Sequence, residues 1–127
     1  ENALKPRIWL KSGANIVIQP TEALTVLDVN SSKNTAKKNK QLNHYKINLE
    51  AAKEIAAQLR LRNLSGIIIV DFIDLYDDAL NESLLSEFRV FLKQDPVPVQ
   101  LVDITKLGLV ELTRKKQKKP LTEQLRG

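Results

Sequence analysis

The sequence predicts an α/β fold, a mixed β-sheet packed with two main helices, and three observations carry that expectation. Gly66 to Phe72 (GIIIVDF) holds four consecutive β-branched residues, which favour extended backbone and resist helix. Two later stretches repeat apolar residues at helical spacing. Strand-like and helix-like segments follow one another in the order β-β-β-α-β-α-β-β, which implies helices laid on a sheet.

The opening RIWLKSGANIVIQ reads as a hairpin, with Arg7 to Lys11 and Asn15 to Gln19 as strands and Ser12-Gly13 as the turn. Pro20 stops the second strand. Ala23 to Val29 is apolar on both parities, so a central strand covered on both faces is expected. Residues 30–46 are polar and lysine-rich, and 33–46 is expected to be a long basic loop. Asn48 then serves as the cap of a helix, NLEAAKEIAAQLRLRN, with Leu49, Ala52, Ala56 and Leu59 on one stripe. Asn63 and Gly66 bracket its end. A second helix runs from about Asp77 to Gln94, where Leu80, Leu84, Phe88, Phe91 and Leu92 share a face, and Pro96 and Pro98 end it. Val99 to Ile104 and Leu107 to Thr113 are short strands, followed by a basic tail over 114–127.

A chain of 127 residues suits a single domain spanning 1–127 that buries its own core. It has no cysteine, which excludes disulfides and thiolate zinc sites and is compatible with a cytoplasmic location. No apolar run approaches the roughly 20 residues that cross a bilayer, and no membrane segment is expected. The absence of methionine suggests a piece of something longer.

The net charge of +5 is unevenly spread. Residues 33–46 hold Lys33, Lys37, Lys38, Lys40 and Lys46 without an acid, and 105–119 hold Lys106, Arg114, Lys115, Lys116, Lys118 and Lys119 against Glu111. Between them, 71–87 is wholly acidic in its charges. Basic segments flanking an acidic one suit a polyanion meeting a cation site, which makes Lys33, Lys37, Lys38, Lys40, Arg114, Lys115 and Lys116 candidate phosphate contacts. The ordinary alternative is a set of solvated loops.

VLDV and IIIVD each end a buried strand on an aspartate, Asp28 and Asp71, and ligands gather at the carboxyl ends of strands in α/β sheets. Two carboxylates there would repel one another, and a hard divalent cation relieves that repulsion. Taken singly, each aspartate is more often a turn or capping acid, and the pair is the more informative signal. Asp74 is a possible third ligand or a cap, and Glu50 is read as a first-turn acid. His44, the only histidine, sits in the basic segment without an evident partner. Four glycines, none in phosphate-loop spacing, leave no nucleotide motif, and the few aromatics offer no evident base-stacking platform.

The runs RIWLKSGANIVIQPTEALTVLDVNS, NLEAAKEIAAQLRLRNLSGIIIVDFIDL and LGLVELTRKK resemble the ribonuclease E/G family over nearly the whole chain. The resemblance implies the subdomain described as DNase-I-like. It also implies a magnesium-dependent endoribonuclease that cuts single-stranded, often AU-rich RNA to leave 5′-phosphate and 3′-hydroxyl ends, with no small-molecule substrate. The family's catalytic, metal-holding pair falls on Asp28 and Asp71 and its supporting asparagine on Asn30. A homo-oligomeric full-length protein is implied too. Departures are the basic KKNKQLNHYKI, where familiar members are more acidic, and the absence of the cysteines of the family's zinc-link. The family's OB-fold, 5′-monophosphate pocket and RNase-H-like portion have no counterpart in these runs. The competing class is a non-catalytic RNA-binding or assembly module of a larger ribonuclease, and dependence of cleavage on the aspartates and on magnesium separates the two.

Overall fold

A glycine sets the first reversal of the chain. In the computed structural model, which describes residues 5–31, 39–105 and 107–117, β1 (Arg7–Trp9) pairs antiparallel with β2 (Asn15–Pro20). Gly13 takes φ 93° in the turn, a left-handed backbone that costs glycine little. β3 (Thr25–Asn30) continues antiparallel to β2. After α1 (Lys40–Leu61), β4 (Gly66–Asp71) lies parallel to β3, the one parallel pair among the described strands. α2 (Asp78–Leu92) precedes the hairpin of β5 (Val99–Ile104) and β6 (Val110–Arg114), and β6 adds antiparallel to β4. The six strands run in the order β1-β2-β3-β4-β6-β5, so the expected mixed α/β sheet with two helices is what forms.

Both helices contribute to one core. Leu27 and Val29 of β3, Ile68 and Val70 of β4 and Leu112 of β6 meet Ile55 and Leu59 of α1 and Leu84 and Phe88 of α2. Phe72 and Phe88 pack edge-to-face, with ring centroids 5.5 Å apart. This corrects the expectation that β3 is covered on both faces. Burial alternates along it, with Thr25, Leu27 and Val29 buried and Val26, Asp28 and Asn30 half-buried on the opposite, open side. The apolar Val26 obscured that alternation, which the polar Asp28 and Asn30 restore.

α1 starts earlier than expected. Lys40 and Lys46, assigned to the basic loop of 33–46, stand on the helix, whereas 32–38, with Lys33, Lys37 and Lys38, lie outside the described residues. The buried stripe runs through His44, Asn48, Ala51, Ala52, Ile55 and Leu59, so its first two members are polar and hid the helical period. Asn48 is therefore no cap. Fully buried, its amide donates to Ile73 C=O at 2.9 Å and accepts from Ile73 N–H at 3.0 Å. Gln41, earlier on the helix, acts similarly by accepting from Tyr76 N–H at 2.7 Å. Together they tie the segment after β4 to α1. Asn48→Ala would leave both backbone groups of Ile73 unsatisfied, at about 1–3 kcal/mol each. A fall in the urea midpoint corresponding to roughly 2–4 kcal/mol is the expected result.

The end of α1 behaves as the sequence indicates. Asn63 (φ 51°) and Gly66 (φ 79°) turn the chain from α1 into β4, and Leu64 N–H donates back to Leu59 C=O at 3.1 Å. Asp77 caps α2, accepting from Ala79 N–H at 2.9 Å and Leu80 N–H at 3.3 Å. The last strand begins later than expected because Thr105, Gly108 and Leu109 form the reversal between β5 and β6. No helix among the described residues is long and apolar enough to cross a membrane.

Candidate active site

Strand register decides which side chains meet. Asp28 of β3 is the partner of Asp71 of β4 in the parallel pair, so the two carboxylates project side by side from the open face. Both are half-buried. The Asp71 carboxyl is pushed above the usual carboxylate range, first by burial, then by the negative charges of Asp28 and Asp74, then by a hydrogen bond with Asp28.

Asn30 follows Asp28 on the same face, and its amide donates to Asn15 Oδ1 at 3.4 Å. Asn15, buried beneath its neighbours, also accepts from Arg7 Nη1 at 2.6 Å. The register Trp9↔Asn15↔Asn30 extends this row to the edge of the sheet. Asp74 is exposed in the segment after β4 and acts on Asp71 through its charge, while the capping of α2 falls to Asp77. Among the described residues, no group of three or more His, Cys, Asp or Glu converges on a point, so the site offers two neighbouring carboxylates. That donor set fits magnesium, which is commonly held by one or two carboxylates and completes its octahedron with water and phosphate oxygens. A cavity of about 410 Å³ lies nearby, between Phe72, Asp74, Asp78, Glu82 and Val110, but its acidic rim disfavours a phosphate chain.

The basic residues divide. Lys40, Lys115 and Lys116 are exposed. Arg114 departs from the expectation of a phosphate contact, because it is buried and its guanidinium is spent within the fold. It donates from Nε to Asp95 Oδ2 at 2.9 Å, from Nη2 to Asp95 Oδ1 at 3.2 Å, and from Nη1 to Asn63 Oδ1 and Leu64 C=O. Its position in β6 points it inward, which a reading of RKK as one exposed run overlooks. His44 is also buried on α1, its pKa lowered by burial and then by the charge of Lys40. Glu50 lies mid-helix rather than in a first turn, and its carboxylate accepts from Ser12 Oγ at 2.6 Å. The sequence alone marks none of Asn15, Arg7 and Trp9 as candidates; the alternation of β1 and β2 relative to Asp28 is the signal that could find them.

A profile of the Ribonuclease E/G family matches residues 1–117. The chain belongs to the Ribonuclease E/G family. It is 50% identical over 121 residues to Ribonuclease E of Synechocystis, a match covering 95% of this chain and 18% of that protein. Ribonuclease G of Haemophilus influenzae is 39% identical over 125 residues, covering 98% and 26%. Ribonuclease E of Escherichia coli is 39% identical over 123 residues, covering 97% and 12%. The chain thus spans about a quarter or less of the Ribonuclease E and G proteins it matches.

Proposed function

We propose that this chain is the catalytic subdomain of a magnesium-dependent endoribonuclease that cleaves single-stranded RNA to leave 5′-phosphate and 3′-hydroxyl ends. The observation that carries the reading is the in-register pairing of Asp28 and Asp71 on the open face of the sheet. The relatives' names, Ribonuclease E and Ribonuclease G, supply the reaction class.

In this reading Asp28 and Asp71 hold magnesium, which when bound would polarise the phosphodiester and make water a better nucleophile. The rigid β3–β4 pair fixes the spacing of the carboxylates, so no loop has to order before a cation is accepted. Their half-buried setting strengthens attraction to a cation relative to bulk water. Asn30 orients an aspartate, a water or the scissile phosphate with its amide, and Asn15 holds that amide in place. The exposed Lys40, Lys115 and Lys116 draw the phosphate backbone in, a contribution that weakens as salt rises.

The test is cleavage of a single-stranded RNA by the full-length protein, with and without magnesium, and with either aspartate replaced. Persistent RNA binding without magnesium-dependent cleavage would instead assign the chain to a binding or assembly role. Asn30→Asp should lower the cleavage rate roughly 10–100-fold, as loss of an outer-shell partner does. The melting temperature should change little. Parallel losses of activity and melting temperature would reduce Asn30 to a structural residue.

A further inference from the structure

We propose that Trp9 and Arg7 form a subsite for single-stranded RNA, with the indole stacking a nucleobase and the guanidinium binding an adjacent phosphate. The proposal rests on the reading of this chain as part of an RNA-cleaving enzyme. Trp9 is 67% exposed, an unusual setting for the most costly side chain to leave in water. The guanidinium carbon of Arg7 lies 5.8 Å from its ring centroid, a cation–π arrangement that holds the indole while leaving one face to solvent. Arg7 is itself anchored, donating to Asn15 Oδ1 at 2.6 Å.

The placement supplies the ligand. Trp9, Asn15 and Asn30 are register partners across three strands, so the indole stands on the same open face as Asp28 and Asp71. With neighbouring strands about 4.8 Å apart, it lies roughly 10 Å across the sheet from Asn30, close enough for one RNA strand to engage both. Exposed Lys5 and Lys11 flank the edge. The nearby Glu50 carboxylate is occupied by Ser12 Oγ and N–H. An aromatic face, a fixed guanidinium and surrounding lysines are the combination that takes single-stranded nucleic acid without regard to base identity. A low aromatic count does not preclude such a platform, since one exposed ring suffices for one base.

The chain has a single tryptophan, so its emission reports on this side chain alone. The experiment titrates the chain in EDTA with a short single-stranded RNA and with an oligonucleotide of equal length whose residues are abasic, following tryptophan emission and the anisotropy of an end label. Quenching by RNA and not by the abasic strand is expected. Trp9→Ala should weaken RNA binding about tenfold, Trp9→Phe should retain most of the affinity, and the abasic strand should bind both variants as it binds the parent. Unchanged emission on RNA binding, equal loss for both probes, or no binding of RNA at all would overturn the subsite, the first two leaving the exposed indole to a protein contact. No step of this measurement requires cleavage. A failure of the Asp28 and Asp71 assignment is read separately, in the magnesium-dependent assay.

Discussion

Asp71→Asn should abolish most cleavage by the full-length protein while leaving its fold intact. The substitution keeps size and shape but removes one of the two charges that face each other across the parallel strand pair. Lewis-acid stabilisation of a phosphoryl group by a bound cation is worth several kcal/mol, so weakening that cation's hold should cost roughly 10³-fold in rate at limiting magnesium. Asp28→Asn should behave alike, and the double variant should be little worse than either single one, because the two side chains act as a unit. Stability should move the other way. The crowding that pushes the Asp71 carboxyl upward is a cost to the metal-free fold, and replacing one member relieves it. The melting temperature in EDTA should therefore hold steady or rise, and magnesium should raise it less in the variant than in the parent. Asp74→Asn supplies the comparison. Exposed and acting through its charge, Asp74 should give a far smaller kinetic effect. Cleavage by Asp71→Asn at the parent rate would remove the catalytic assignment.

How far the sequence discloses this site depends on the period of each element. The β-branched run of β4 and the apolar run of β3 put Asp28 and Asp71 at the carboxyl ends of strands, and both are found there. That the two carboxylates meet was expected from their pairing as a cation site; the strand order and register that bring them together were not legible, because only the α1 crossover makes β3 and β4 adjacent and parallel. The start of α1 was hidden by His44 and Asn48, polar side chains on a buried stripe, and that also concealed how Asn48 fastens the segment carrying Asp74. Trp9 and Asn15 read as ordinary hairpin residues until the register placed them in a row with Asn30. Charge runs were the least informative signal. RKK merges an inward Arg114 with outward Lys115 and Lys116, and only the two-residue period of β6 separates them.

Arg114→Ala should destabilise the fold by about 3–5 kcal/mol, more than Asn48→Ala, because it leaves the buried Asp95 carboxylate without its partner. Side-chain exposures of 3% and 1% for Arg114 and Asp95 keep solvent from replacing the lost contacts. The guanidinium also holds Asn63 and Leu64, the turn that leads α1 into β4, so the loss should spread to the strand carrying Asp71. Burial by itself would raise the Asp95 pKa, yet hydrogen bonds from Arg114 and Val97 N–H and the charges of Arg114 and Arg60 outweigh it and hold the carboxyl below the usual range. A folded-state pKa below the unfolded one gives stability that is complete above the ordinary carboxylate range and is lost as pH falls through the folded value. Acid unfolding of the parent should accordingly show a component at low pH that Asp95→Asn lacks. Salt should matter little, since a buried pair is poorly screened. By contrast, Lys115→Ala and Lys116→Ala should each fall within about 0.5 kcal/mol of the parent in urea, and their effect should appear in RNA affinity at low salt. Equal urea midpoints for Arg114→Ala and Lys115→Ala would return Arg114 to the exposed basic run.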